Sequence, residues 1–185
     1  MGFAKLIMRD KCQHNGYDNQ NYKNKDAADK LVKYIFKDRG NGKKVRFYGG
    51  LGVDLVTSER AADQIKKVKK LYKKSSGRQM YHFILSFDER VKNPIEVYEI
   101  GMGIMDTFFY GYQIIFAVHE DTEHLHLHFI LNSVNMLTGY KWHMNMDEFM
   151  EFKKNMESYA DEYLKRAGYC GAYGTYNNVE IAELI

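Results

Sequence analysis

Four of the seven histidines fall in one short stretch, Ala117-Val-His-Glu-Asp-Thr-Glu-His-Leu-His-Leu-His-Phe-Ile-Leu-Asn132. On a strand, alternation places His124, His126 and His128 on one face and Leu125, Leu127, Phe129 and Leu131 on the other. His119 closes a preceding apolar run, Tyr112 to Val118, and the polar residues Glu120 to Glu123 read as a hairpin connection that returns His119 alongside its partners. Imidazoles from His119, His126 and His128 make a divalent-metal site with coordination positions left over, as a catalytic site requires and a closed structural one does not. Because these ligands are uncharged, the ion keeps its charge for an anionic substrate such as phosphate. Asp121 can accept a hydrogen bond from a ligand's second ring nitrogen and fix its tautomer. Asn132, four residues after His128 on the same face, can donate to a ligand or a phosphate, and His124 is either an alternate ligand or a rim residue. His14 and His143 read as loop or surface residues.

The elements that must position this hairpin follow from periodicity and capping. Gly2 to Met8 reads as a short strand, followed by a polar, Asn-rich surface loop through Asn24. Asp26 caps a helix from Ala27 to about Lys37 on which Ala27, Leu31, Tyr34 and Ile35 share a face, with Lys33, Lys37 and Arg39 beside Tyr34. Val45 to Thr57 alternates apolar residues with Gly49, Gly50 and Gly52, a pattern for backbone that bends or lies close to something else. Ser58 caps a helix to about Lys74 with Ala62, Ile65, Val68, Leu71 and Tyr72 inward and lysines outward. Met80 to Phe87 reads as a strand with His82 on the face of Met80, Ile84 and Ser86. Asn93-Pro94 starts a largely buried helix, and Asn145 or Asp147 opens a last one that stops at Gly168. The expected fold is α+β: a central antiparallel or mixed sheet of about five strands, helices on one face, and an open face bearing the histidines.

The 185 residues fit a single domain with no repeat or Pro-rich linker. No apolar run reaches the length of a membrane span, no signal-peptide pattern opens the chain, and Cys12 and Cys170 make no disulfide framework, so the expected compartment is a reducing cytoplasm. The net charge of +3 hides an asymmetry: residues 1–80 carry 20 Lys/Arg against 8 Asp/Glu, whereas residues 81–185 carry 7 against 16. A basic first part suits a polyanion, although Lys66, Lys67, Lys69, Lys70, Lys73 and Lys74 equally suit the solvated face of one helix.

The spacing His119-x-Asp121-x4-His126-x-His128-x3-Asn132 resembles the metal motif of the HUH endonuclease superfamily, specifically the MobP-class relaxases related to the VirD type. Leu31-Val-Lys-Tyr34-Ile-Phe-Lys resembles the nucleophile motif of that family, and Tyr81-His82-Phe-Ile-Leu-Ser86-Phe its intervening strand motif. The resemblance implies a relaxase that nicks one DNA strand at an origin of transfer through a 5′-phosphotyrosine, with Tyr34 and Asp121 as catalytic residues and one divalent ion (Mn, Mg, Zn, Co or Ni). It also implies single-stranded DNA and an origin hairpin as substrate, accessory relaxosome proteins and a coupling ATPase as partners, and no membrane insertion. Lys33, Lys37, Arg39, Lys43, Lys44, Arg46, Arg78 and His82 are the expected DNA contacts.

Fifteen tyrosines leave the nucleophile open on chemistry alone. Tyr159-x3-Tyr163-x2-Arg166 resembles the motif of rolling-circle initiators, where the nucleophile follows the histidines; Tyr34 precedes them, as in relaxases. A DNA-binding domain that contains metal without cutting would explain the charge asymmetry but not the histidines. A cupin-like metalloenzyme lacks the Glu expected soon after the His-x-His pair.

Overall fold

The computed structural model describes residues 2–8, 22–36 and 45–169. Strands β1 (Ala4–Met8), β2 (Val45–Leu51), β3 (Met80–Phe87), β4 (Tyr112–His119) and β5 (His126–Asn135) form one antiparallel sheet in the order β1-β3-β5-β4-β2. Helices α1 (Ala27–Phe36), α2 (Ser58–Leu71), α3 (Pro94–Phe108) and α4 (Met146–Arg166) complete the α+β fold. The histidine strand β5 is the middle strand, hydrogen-bonded on both sides, which holds its side chains more rigidly than an edge strand could.

Local signals set the helix starts. Asn93 accepts a bond from the Ile95 amide ahead of Pro94, and Asn145 forms a capping box with Glu148. Thr57, rather than Ser58, caps α2, accepting from the Arg60 amide. Gly168, with φ of 92°, follows the end of α4. Gly49 and Gly101 explain the close approach of α3 to the sheet, since a Cβ at either would lie 2.6 Å from the ring of Phe116.

Each face of the sheet is covered by a helix pair. Phe116, Val118, Leu127, Phe129 and Leu131 pack against α3 and α4 through Ile100, Ile104, Phe152 and Met156. The opposite face alternates histidines with Met80, Ile115, Ala117 and Ile130, and these apolar residues pack against Leu31, Val32 and Ile35 of α1 and Ala61, Ala62 and Ile65 of α2. The histidine face is therefore not left bare as expected. Burying each of its large apolar side chains is worth roughly 1.5–3 kcal/mol, which leaving the face open would forfeit.

The register of α2 also differs from the expected one. Ala61, Ala62, Ile65 and Lys69 face inward, while Leu71 is 73% exposed. Steps of about 3.6 residues from Ala62 through Ile65 reach Lys69, so helix geometry overrides side-chain character there. The buried Lys69 Nζ lies 3.5 Å from Met80 Sδ, and burial, with repulsion from Lys141, lowers its pKa to about 7.

Candidate metal centre

The β4–β5 hairpin pairs His119 directly with His126 and Ala117 with His128. That register, with alternation along β5, puts all three imidazoles on one face, where one ligand nitrogen from each lies within 4.8 Å of the others. Ring centroids are 4.2 Å apart for His119 and His128, 5.1 Å for His126 and His128, and 5.4 Å for His119 and His126. His119 and His128 are buried and His126 is half-buried, so the cluster opens to solvent on its His126 side.

The hydrogen bonds behind the rings decide whether the donor set fits a cation. A carbonyl can only accept, so the Ile35 carbonyl, 2.9 Å from His119 Nε2, holds a proton there and leaves the lone pair on Nδ1. The His124 carbonyl, 3.0 Å from His126 Nδ1, likewise leaves the lone pair of His126 on Nε2. His128 Nδ1 lies 2.7 Å from His82 Nε2, and His82 Nδ1 lies 3.2 Å from the Tyr22 hydroxyl. With protons running from His128 Nδ1 to His82 and from His82 Nδ1 to Tyr22, His128 Nε2 is also a lone-pair donor. Three oriented, neutral imidazoles with backing partners fit a divalent ion.

Tyr34 is brought to this cluster by α1. Its ring meets His128 edge-on at 5.8 Å and His82 at 6.0 Å, and the next residue, Ile35, supplies the carbonyl that holds His119. Tyr159 and Tyr163 lie on α4, against the opposite face of the sheet: Tyr159 packs on Phe108, and Tyr163 donates to Glu99. That carboxylate, helped by burial and by Glu96, pushes the Tyr163 pKa up to about 12, the wrong direction for a nucleophile. A five-stranded sheet separates both from the histidines.

The other expected site residues divide between the histidine cluster and the rest of the fold. Asp121 is 3.5 Å from His126 Nε2, the lone-pair side of that ring, so backing of His126 falls instead to the backbone carbonyl of His124. His124 precedes β5, and its support runs through that carbonyl, which also accepts from Thr122 Oγ1 at 2.9 Å. Asn132 is fully buried and turned to the fold: it donates to Gln113 at 2.8 Å and accepts from the Val134 amide at 3.2 Å. His82, expected at DNA, is 1% exposed and stands behind His128. Lys33 pairs with Glu59 at 3.2 Å, and Arg46, next to the Val45 that pairs with His119, with Glu120 at 3.9 Å. Arg78 sits over the Tyr81 ring just before Met80, which pairs with Asn132 at the far end of the β3–β5 ladder from His126. Lys37, Arg39, Lys43, Lys44 and His14 lie outside the described residues. Tyr22 joins the site without any sequence signal: it lies in a polar stretch, and nothing local points to His82, 60 residues away.

A family model for "Relaxase: MobA/VirD2-like, nuclease domain" matches residues 34–169, from Tyr34 through the histidine hairpin to the end of α4. The chain belongs to the MobA/VirD2-like relaxase nuclease-domain family. This agrees with the resemblance carried by the histidine, tyrosine and strand motifs. Among curated relatives, Protein rlx of Staphylococcus aureus is 32% identical over 113 residues, covering 61% of this chain and 34% of the relative. The group II intron-interrupted relaxase LtrB of Lactococcus lactis is 33% identical over 100 residues, covering 48% and 18%. The chain thus matches about a third or less of the length of these relatives. A solved structure from work on the molecular basis of vancomycin resistance transfer in Staphylococcus aureus shares the fold, with a TM-score of 0.52, 12% identity, and coverage of 72% of this chain and 78% of that one. Among the described residues, no helix is long and apolar enough to cross a membrane.

Proposed function

We propose that this relaxase domain nicks single-stranded DNA at an origin of transfer by a metal-assisted transesterification in which Tyr34 is the nucleophile. The observation that carries this reading is the edge-on seating of Tyr34 against His128 and His82, on the sheet face that bears the three-imidazole cluster. Tyr34 Oη attacks the scissile phosphorus; the Tyr–O–P bond forms, the P–O3′ bond breaks, and the phenolic proton ends on the released 3′ hydroxyl. The phosphate stays a diester on the DNA 5′ end, so attack by a 3′ hydroxyl reverses the step. A phenol with an ordinary pKa of about 10 needs nearby positive charge to act at neutral pH. A divalent ion held by His119, His126 and His128 would supply that charge and stabilise the nonbridging phosphate oxygens. The chain's own part is to hold His119 on the Ile35 carbonyl, His126 on that of His124, and His128 through His82. An all-imidazole set suits Mn, Co, Ni or Zn at least as well as Mg. Accessory relaxosome proteins and a coupling ATPase are the partners this reading implies.

The test is an SDS-stable adduct with single-stranded DNA spanning the origin of the protein's own element, labelled at its 3′ end because the label must stay with the 5′-linked fragment. Wild type and Tyr163→Phe are expected to form the adduct and Tyr34→Phe to lose it by at least roughly a thousandfold, as removal of a covalent nucleophile requires. Absence of an adduct from wild type with each of the five ions, or retention in Tyr34→Phe, refutes the reading.

A further inference from the structure

Beside the metal centre runs a groove of about 350 Å³ between the outer edge of β2 and the first turn of α2, lined by Phe36, Arg46, Tyr48, Leu55 and Val56 among others. Tyr48 is 50% exposed although it lies in a strand, and Val56 is 75% exposed. Phe36 meets Tyr48 edge-on at 5.0 Å, which braces one aromatic against the other and leaves the tyrosine half uncovered. Arg46 is the extra residue of a register shift, since Val45 pairs with His119 and Phe47 with Val118; the irregularity lets an edge strand re-aim this side chain. Its exposed pair with Glu120 is long, at 3.9 Å, and a guanidinium has five donors, so donors remain for a phosphate.

The groove shares the site's face of the sheet. Tyr48 pairs with Ala117, and Ala117 with His128, so Tyr48 stands two strands from a metal-ligating histidine, about 10 Å at the usual strand spacing. Phe36 is two residues beyond Tyr34 on α1. A braced, half-exposed aromatic with an arginine beside it, within one nucleotide's reach of the reacting phosphate, is the chemistry that holds a single-stranded base by stacking and its phosphate by charge.

We propose that this groove is a base-stacking subsite for a nucleotide adjoining the scissile phosphate, with Tyr48 as the stacking face, Phe36 as its brace and Arg46 as the phosphate contact. The proposal rests on the nicking reading above and adds a specific place for a base.

The test uses the 185-residue chain. Fluorescence anisotropy compares a labelled oligothymidylate of 12 nucleotides (~12, long enough to span an ordinary single-strand site) with an abasic phosphodiester of the same length. Tyr48→Ala is expected to weaken oligothymidylate binding roughly tenfold and leave the abasic strand unchanged, while Tyr48→Phe stays within about twofold of wild type. Irradiation of the same oligonucleotide carrying 5-bromodeoxyuridine is expected to attach it to the peptide containing Tyr48. Equal loss on both strands marks a phosphate contact or a damaged fold and overturns stacking; so do cross-links confined to other peptides. A Tyr48→Ala protein that binds oligothymidylate like wild type, while wild type still forms the Tyr34 adduct, refutes the subsite and leaves the nicking reading standing. A wild type that neither binds nor forms the adduct refutes both.

Discussion

Replacing His82 by Phe should weaken divalent-metal binding without touching a ligand. His82 Nε2 sits 2.7 Å from His128 Nδ1, is nearly inaccessible to solvent, and passes its own Nδ1 to Tyr22 at 3.2 Å. Phenylalanine fills similar space but removes the acceptor that keeps a proton on His128 Nδ1 and a lone pair on Nε2. The loss of a buried partner costs about 1–3 kcal/mol, and outer-shell partners of ligating histidines are generally worth roughly 10–100-fold in metal affinity, so the two scales agree. Calorimetric titration with Mn or Zn should therefore show a weakening of 10–100-fold for His82→Phe, at about that scale. Tyr22→Phe, one bond further away and removing a neutral contact, should lose about two- to tenfold, corresponding to roughly 0.5–1.5 kcal/mol. His82→Gln keeps an amide oxygen able to accept from His128 and should recover part of the loss. A merely structural role would lower the melting temperature of all three metal-free variants and leave metal affinity unchanged in whatever remains folded. Wild-type metal affinity in a folded His82→Phe protein would refute the proton chain inferred from these distances.

Lys69 predicts a pH dependence of stability. Its folded pKa of about 7 lies below the usual 10.5, so the unfolded chain binds more protons between these values and stability rises with pH across that window. Below about pH 7 the full penalty of burying the ammonium is present, on the order of 3–5 kcal/mol from the size of the shift. Lys69→Met should raise the melting temperature at pH 7 and flatten its rise toward pH 10; a parallel pH profile in the variant would sink the assignment. Asn132→Leu should destabilise the fold by about 1–3 kcal/mol in urea, because it leaves Gln113 and the Val134 amide without their partner in a buried position, while metal affinity stays at the wild-type value. A selective loss of metal binding would instead return Asn132 to the site.

The hairpin of histidines was legible because alternation along a strand is a local property: once β4 and β5 pair, His119, His126 and His128 must share a face. The end signals were legible for the same reason, as Asn93-Pro94 and Asn145 with Glu148 show. Sequence and structure part where side-chain character and helix or sheet geometry disagree. Leu71 reads as core and Lys69 as surface, yet the helix turn carries Lys69 under α2 and Leu71 outward. The spacing of Asn132 from His128 points it at the site, but α2 covers that end of β5 and its amide bonds within the fold, to Ile65 and Gln113.

The sequence by itself determined the α+β class, the motif order of tyrosine before histidines and the three histidines that can share one strand face, since each depends on residue type and near-neighbour spacing. Only the tertiary structure decided which tyrosine meets the histidine cluster. Tyr34 and Tyr163 both read as helical tyrosines, and the difference is that α1 packs on the histidine face while α4 packs on the other. The same holds for Tyr22 and His82, whose link to His128 closes over 60 and 46 residues of chain. Contacts of that range leave no local period in a sequence, because the chain between them is free to vary so long as the sheet and its covering helices bring their ends together.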